Sequence, residues 1–133
     1  LELIPRAKTF SDVIILPHIG ASTSQAEENC SVMAAEQLDD FLSNGNIKNS
    51  VNFPELIEPR PSEFRITLSN KNHSGMIGKI TTVLADNKLN IIDMVNKSRG
   101  EIAYNVIDLE TKPPEKVLDE LSSLDDVIYV REV

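Results

Sequence analysis

The sequence predicts an α+β fold: a four-stranded antiparallel sheet with two helices on one face, in the order β-α-β-β-α-β, over residues 63–133. Three observations predict it. Phe64–Ser69 alternates apolar and polar residues, the two-residue period of a strand with one buried face. Met76, Ile77, Ile80, Val83 and Leu84 then recur at helical spacing. After two further strand-like runs, a second helical stripe leads to a last β-rich segment, so a β-α-β pattern occurs twice.

Before this unit comes FPELIEPRPS, Phe53–Ser62, with three prolines. Proline fixes its own backbone, removes a donor and restrains the residue before it. The reading is therefore a linker at 55–62 between an amino-terminal segment, 1–54, and the unit at 63–133.

In the amino-terminal segment Val13–Leu16 is a short β-branched run suited to a buried parallel strand, ended by Pro17. Ser22 followed by Gln25 has capping-box spacing and predicts a helix over 22–43. Its apolar face is Ala26, Cys30, Met33, Ala34, Leu38, Phe41 and Leu42, with Glu27, Glu28, Gln37 and Asp39 opposite. Cys30 on that face reads as a buried thiol. Asn44-Gly45 is a suitable stop, and Asn49–Phe53 a short extended piece.

In the second unit Asn70–Gly75 is loop chemistry after the first strand. The first helix ends near Asn87-Lys88. Ile91–Asn96 and Ala103–Glu110 are the middle strands, joined by the turn Ser98–Glu101. Pro113-Pro114 opens a helix with the stripe Val117, Leu118, Leu121 and Leu124, because proline in a first turn removes no helical bond. Asp125-Asp126 breaks it, and Val127–Val133 is the last strand. Right-handed crossovers place both helices on one face, the split-βαβ or ferredoxin-like arrangement. A unit this small gains from a partner subunit.

Composition narrows the function classes. Acidic residues outnumber basic ones 21 to 13, for a net charge of −8. Nucleic-acid binders draw affinity from basic side chains on phosphates, so no nucleic-acid partner is expected. No apolar run reaches the roughly 18–20 residues of a membrane span, so no membrane partner is expected either. One cysteine permits no internal disulfide, which fits a reducing, cytoplasmic setting. One cysteine with His18 and His73 does not supply a usual zinc set, so no metal is expected. The acids Asp119, Glu120, Asp125 and Asp126 read as a solvated face and turn.

His18, in LPHIGAST (Leu16–Thr23), is the one acid–base candidate of the first segment. From the residues alone, a structural histidine before a turn is the plain reading. VIILPHIGASTSQAEEN and NGNIKNSVNFP, however, resemble the end of the nucleotide-binding domain and the following segment of D-2-hydroxyacid dehydrogenases, the D-3-phosphoglycerate dehydrogenases in particular. The resemblance implies that His18 is the general acid/base for hydride transfer with NAD in a complete enzyme. Imidazole titrates near neutrality and can hold the hydroxyl proton as hydride leaves. The family also needs a glycine-rich phosphate loop, an arginine and a glutamate upstream. Gly75 and Gly78 do not make G-x-G-x-x-G. The expectation is a carboxy-terminal portion of such an enzyme, with a strand–helix remnant of the catalytic half, no cofactor of its own and no dehydrogenase activity when taken alone.

The second unit resembles the ACT domain, a regulatory amino-acid-sensing module, through Ile66–Ile91 and Ala103–Glu110. The resemblance implies effector L-serine bound between two such units, with Asn72 from one subunit and Asn90 from its neighbour. Asn70, which stands where some members carry histidine, and Gly75 are further effector-binding candidates; His73, one position beyond Asn72, is not assigned that role. An asparagine can accept and donate, so it can read ammonium and carboxylate without adding charge. Gly75 and Gly78 are read as leaving room for ligand or partner backbone. The implied partners are L-serine and a second copy of the chain, in a homodimer or larger assembly with the edge strand Ile91–Asn96 as contact. The implied role is feedback control of serine synthesis. A ligand-free oligomerisation domain is the alternative.

Overall fold

A computed structural model of the chain describes residue 20 and residues 22–133. The expected strand Val13–Leu16 and His18 lie outside the described residues. The chain divides into two compact units, Leu1–Ala35 and Glu36–Val133.

Helix α1, Ser24–Asn44, runs through that division. Its cap is Thr23, whose Oγ1 accepts from the Ala26 N–H at 3.1 Å, so the start lies one residue beyond the expected Ser22. Cys30 is exposed, contrary to the buried reading. Met33, Leu38 and Leu42 of the same stripe are also more than half exposed. Helical spacing locates the stripe but does not say what covers it. The helix stops as expected: Gly45 takes φ +73° and its N–H reaches the Phe41 carbonyl at 3.0 Å.

The expected β-α-β-β-α-β unit is present. Its elements are β1 (Phe64–Lys71), α2 (Met76–Asp86), β2 (Ile91–Arg99), β3 (Ile102–Leu109), α3 (Glu115–Ser122) and β4 (Val127–Glu132). The sheet order is β2-β3-β1-β4, antiparallel throughout, with β2 and β4 at the edges.

Register decides which residues share a face. Ile66 pairs with Ile107, Leu68 with Asn105 and with Val130, and Met94 with Ile107. The apolar members of this set pack on Ile80, Val83 and Leu84 of α2 and Val117 and Leu121 of α3. Removing such side chains from water is the main stabilising term, roughly 1.5–3 kcal/mol each.

The alternation of β1 predicts one buried face, but the strand is buried on both. The reason is the segment after α1. Ile47 and Leu56 form an antiparallel bridge, with N···O distances of 2.7 and 3.0 Å. They cluster with Tyr104 and Val106 on the sheet face away from α2 and α3, joined by Phe41, Phe53 and Val95. Phe53 meets Tyr104 edge to face, centroids 6.0 Å apart.

Residues 55–62, expected to be a linker, are part of this packing. Leu56 is fully buried. Arg60 donates to the carbonyls of Ser43, Glu63 and Val133 at 2.6, 2.6 and 2.7 Å. The prolines stiffen this stretch into a strap laid on the sheet; the compact units divide earlier, at Ala35/Glu36. Asn49–Phe53, expected as extended, is a run of bends with Asn49 at φ 55°.

Candidate functional site

At the end of the sheet where β1 runs into α2, a cleft of about 180 Å³ opens. Its lining includes Asn70, Asn72, His73, Gly75, Asn96 and Ala103. Of the residues singled out in the sequence, Asn70, Asn72 and Gly75 therefore come together here.

Asn72 is held by the β2–β3 turn. Its backbone N–H donates to Glu101 O at 2.8 Å, and its Nδ2 to Gly100 O at 3.2 Å. The loop is tied on its other side to the α3–β4 turn. His73 Nδ1 lies 3.1 Å and Lys71 Nζ 3.3 Å from the Asp126 carboxylate. The hydrogen bond to His73, then that to Lys71, holds the Asp126 carboxyl below its ordinary range. Asp126, expected as a plain turn acid, thus also positions the loop.

Gly75 is the N-cap of α2 at φ 87°, a backbone that disfavours other residues. A Cβ at Gly75 or Gly78 would meet nothing within 4 Å of this chain. The need at Gly75 is conformational, and no crowding within the chain explains either glycine. No side-chain oxygen caps α2, so its first turn offers N–H groups beside the cleft.

Asn70 is 2% exposed and its amide is engaged at both ends. Nδ2 donates to Lys71 O at 2.6 Å, and Oδ1 accepts from Asn105 Nδ2 at 2.8 Å. Asn105 also donates to Leu68 O at 3.2 Å and accepts from Asn96 Nδ2 at 2.6 Å. Three strands thus contribute one connected row of amides, of which Asn70 and Asn96 line the cleft. Sequence reasoning missed Asn96 and Asn105. The signal was there: Asn70, Asn105 and Asn96 each stand two positions from an apolar core residue, Leu68, Ile107 and Met94 respectively. Each therefore points to the same face.

Residues 64–126 match the family model of the ACT domain. The chain carries an ACT domain. Most of the chain is similar to a part of D-3-phosphoglycerate dehydrogenases. It is 32% identical to the D-3-phosphoglycerate dehydrogenase of Haemophilus influenzae over 98% of its own length and 32% of that protein. To the D-3-phosphoglycerate dehydrogenase of Escherichia coli K12 it is 30% identical over 92% of its length and 30% of that protein. It spans about a third of these relatives. Among solved structures, the ACT domain of GTP pyrophosphokinase from Chlorobium tepidum superposes with TM-score 0.47 at 20% identity, over 53% of this chain and 95% of that one.

Within this ACT domain Asn90 is not at the cleft. It precedes β2, donates from Nδ2 to Glu110 Oε2 at 3.0 Å and accepts from the Glu110 N–H at 3.0 Å. Asn72 is bonded to Glu101, nine residues back along β3, so strand rise separates the two asparagines by roughly 30 Å. One copy of the ACT domain does not bring them together.

The polar lining of the cleft comes from the amides of Asn70, Asn72 and Asn96, with His73 and Ser74. Among the described residues, no group of three or more His, Cys, Asp or Glu is arranged to hold a metal. The five glycines have no G-x-G-x-x-G spacing, so they do not form a dinucleotide phosphate cradle. No helix among the described residues is long and apolar enough to cross a membrane.

Proposed function

We propose that this chain is the regulatory segment of a D-3-phosphoglycerate dehydrogenase, and that its ACT domain binds L-serine between two copies as a feedback signal. The observation that carries the reading is the cleft at the β1–α2 junction, where Asn72 and the uncapped first turn of α2 adjoin one another. A carboxylate is favoured at the first turn of a helix by free N–H groups and the helix dipole. Asn72 then reads the ligand's polar groups.

The position of Asn90 supports the two-copy form of this reading. β2 is an edge strand with exposed Ile92 and a register shift between Ile91 and Asp93. Antiparallel pairing of β2 with a second copy brings the Asn90 end of one strand beside the Arg99 end of the other. It also removes an exposed edge. Serine then controls the enzyme only by preferring one arrangement of its subunits over another. In the complete enzyme His18 serves as general acid/base in NAD-dependent oxidation of the substrate hydroxyl, in a cytoplasmic setting.

A second reading, a ligand-free oligomerisation domain, is favoured by one observation: the Asn70 amide is already bonded inside the chain at both its nitrogen and its oxygen. Calorimetric titration with L-serine, with D-serine and glycine as controls, separates the two. Selective, saturable binding of L-serine supports the sensor. A folded, dimeric chain that binds none of the three is the oligomerisation module.

A further inference from the structure

We infer that Asn96 is the ammonium-recognising residue of the cleft, and that Asn105 and Asn70 are positioning residues that fix its orientation. The inference rests on the effector reading above and adds a residue and a polarity to it.

The argument is one of hydrogen-bond direction. A backbone carbonyl only accepts, and an asparagine amide has one accepting and one donating end. Asn70 faces the Lys71 carbonyl at 2.6 Å, so it presents nitrogen there and oxygen towards Asn105. Asn105 meets that oxygen at 2.8 Å and the Leu68 carbonyl at 3.2 Å, so its nitrogen occupies this side. Its oxygen therefore faces Asn96, which donates from Nδ2 at 2.6 Å. Each amide in the row fixes the next, from two carbonyls of β1 to the edge strand β2.

Reversal of Asn70 or Asn105 would set two donors or two acceptors face to face. Asn105 and Asn70 are 0% and 2% exposed, so no bulk water is at hand to compensate. The row ends at Asn96, whose nitrogen is engaged and whose Oδ1 is left to accept. Asn96 lines the cleft together with Gly75, Met76 and Ile77 of the α2 start. The cleft therefore offers donors on the helix side and a fixed acceptor on the sheet side. That polarity matches a free α-amino acid, carboxylate to α2 and ammonium to Asn96, and disfavours a ligand with a carboxylate at both ends.

The test is titration of L-serine into the full chain and into Asn96→Ala. The expected result is binding by the wild type and at least a tenfold loss in Asn96→Ala, as for loss of a charge-assisted hydrogen bond. Asn105→Leu, which does not touch ligand, weakens binding in the same direction. Wild-type affinity in Asn96→Ala overturns the assignment and leaves the effector reading standing. No binding of L-serine by the wild type overturns both. If Asn105→Leu does not fold, the side-chain amide signals of the wild-type chain decide by NMR. Those of Asn96 and Asn105 shift on saturation with L-serine while those of exposed Asn49 and Asn52 stay. Unmoved Asn96 and Asn105 signals refute the row.

Discussion

Arg65 and Asp108 face each other across β1 and β3 and meet in two parallel bonds, Nε to Oδ1 and Nη2 to Oδ2, both 2.8 Å, with neither side chain appreciably exposed. The guanidinium has further partners: Nη1 donates to the Asn44 carbonyl at the end of α1 at 2.9 Å, and Nη2 to Pro59 O at 2.6 Å. One buried side chain thus ties the sheet to the end of α1 and to the strap. Asp108→Ala strands that charge and is expected to destabilise by about 3–5 kcal/mol. Arg65→Met with Asp108→Leu, which removes both charges, recovers part of the loss. Urea unfolding of the three chains measures both effects; an Asp108→Ala chain as stable as wild type contradicts the account.

Gly45 lies against Thr67 of β1. A Cβ there would overlap the Thr67 methyl, and φ +73° is strained for any other residue. Gly45→Ala is expected to cost about 2–4 kcal/mol, combining overpacking with left-handed strain. Adding Thr67→Ser removes the methyl and relieves the overlap but not the backbone strain. Thermal melting of the single and double variants separates the two contributions.

Tyr104 donates its hydroxyl to the Gly45 carbonyl at 2.8 Å from a buried site. Burial pushes its phenol above the ordinary 10.0, opposed by a hydrogen bond with Thr67 and the positive charges of Arg131 and Arg65. A raised folded-state value means that the folded chain holds the proton more tightly. This contribution to stability is full below pH 10 and is lost as pH rises through the folded value. Tyr104→Phe is expected to lower neutral-pH stability by about 1 kcal/mol and to flatten the alkaline loss. Phenolate absorbance, followed against pH in the wild type and the variant, reports the Tyr104 titration by difference.

Asn72→Ala and Asn90→Ala are each expected to weaken L-serine binding by about 1–3 kcal/mol. The two variants also complement one another. In a mixed dimer of Asn72→Ala with Asn90→Ala, one site loses both asparagines and the other keeps both. Calorimetry on the mixture should then recover tight sites that neither variant shows alone. A mixture no better than its components argues against a site shared between copies.

Several elements were legible because local pattern dictates them. The two-residue period of β1, the stripes Met76–Leu84 and Val117–Leu124, and the turn chemistry at Gly100 place the four ACT strands and both ACT helices within a few residues. The row Asn70–Asn105–Asn96 was within reach of the same logic, since each asparagine keeps core parity in its strand. It was missed because local pattern places Asn96 and Asn105 in strands without saying which strands lie side by side. Residues 55–62 misled for a different reason: prolines announce a stiff, non-helical chain whether it is solvated or packed.

The sequence by itself determined the order β-α-β-β-α-β, the apolar faces of its helices and the kinship with the ACT domain. These rest on periodicity and motif, which belong to neighbouring residues. Only the tertiary structure decided that the strap covers the second sheet face, that Arg65 is buried against Asp108, and that Asn90 lies far from Asn72 within one copy. Those are contacts between residues tens of positions apart. They depend on strand register and on which segment reaches a given face first, which no local pattern encodes.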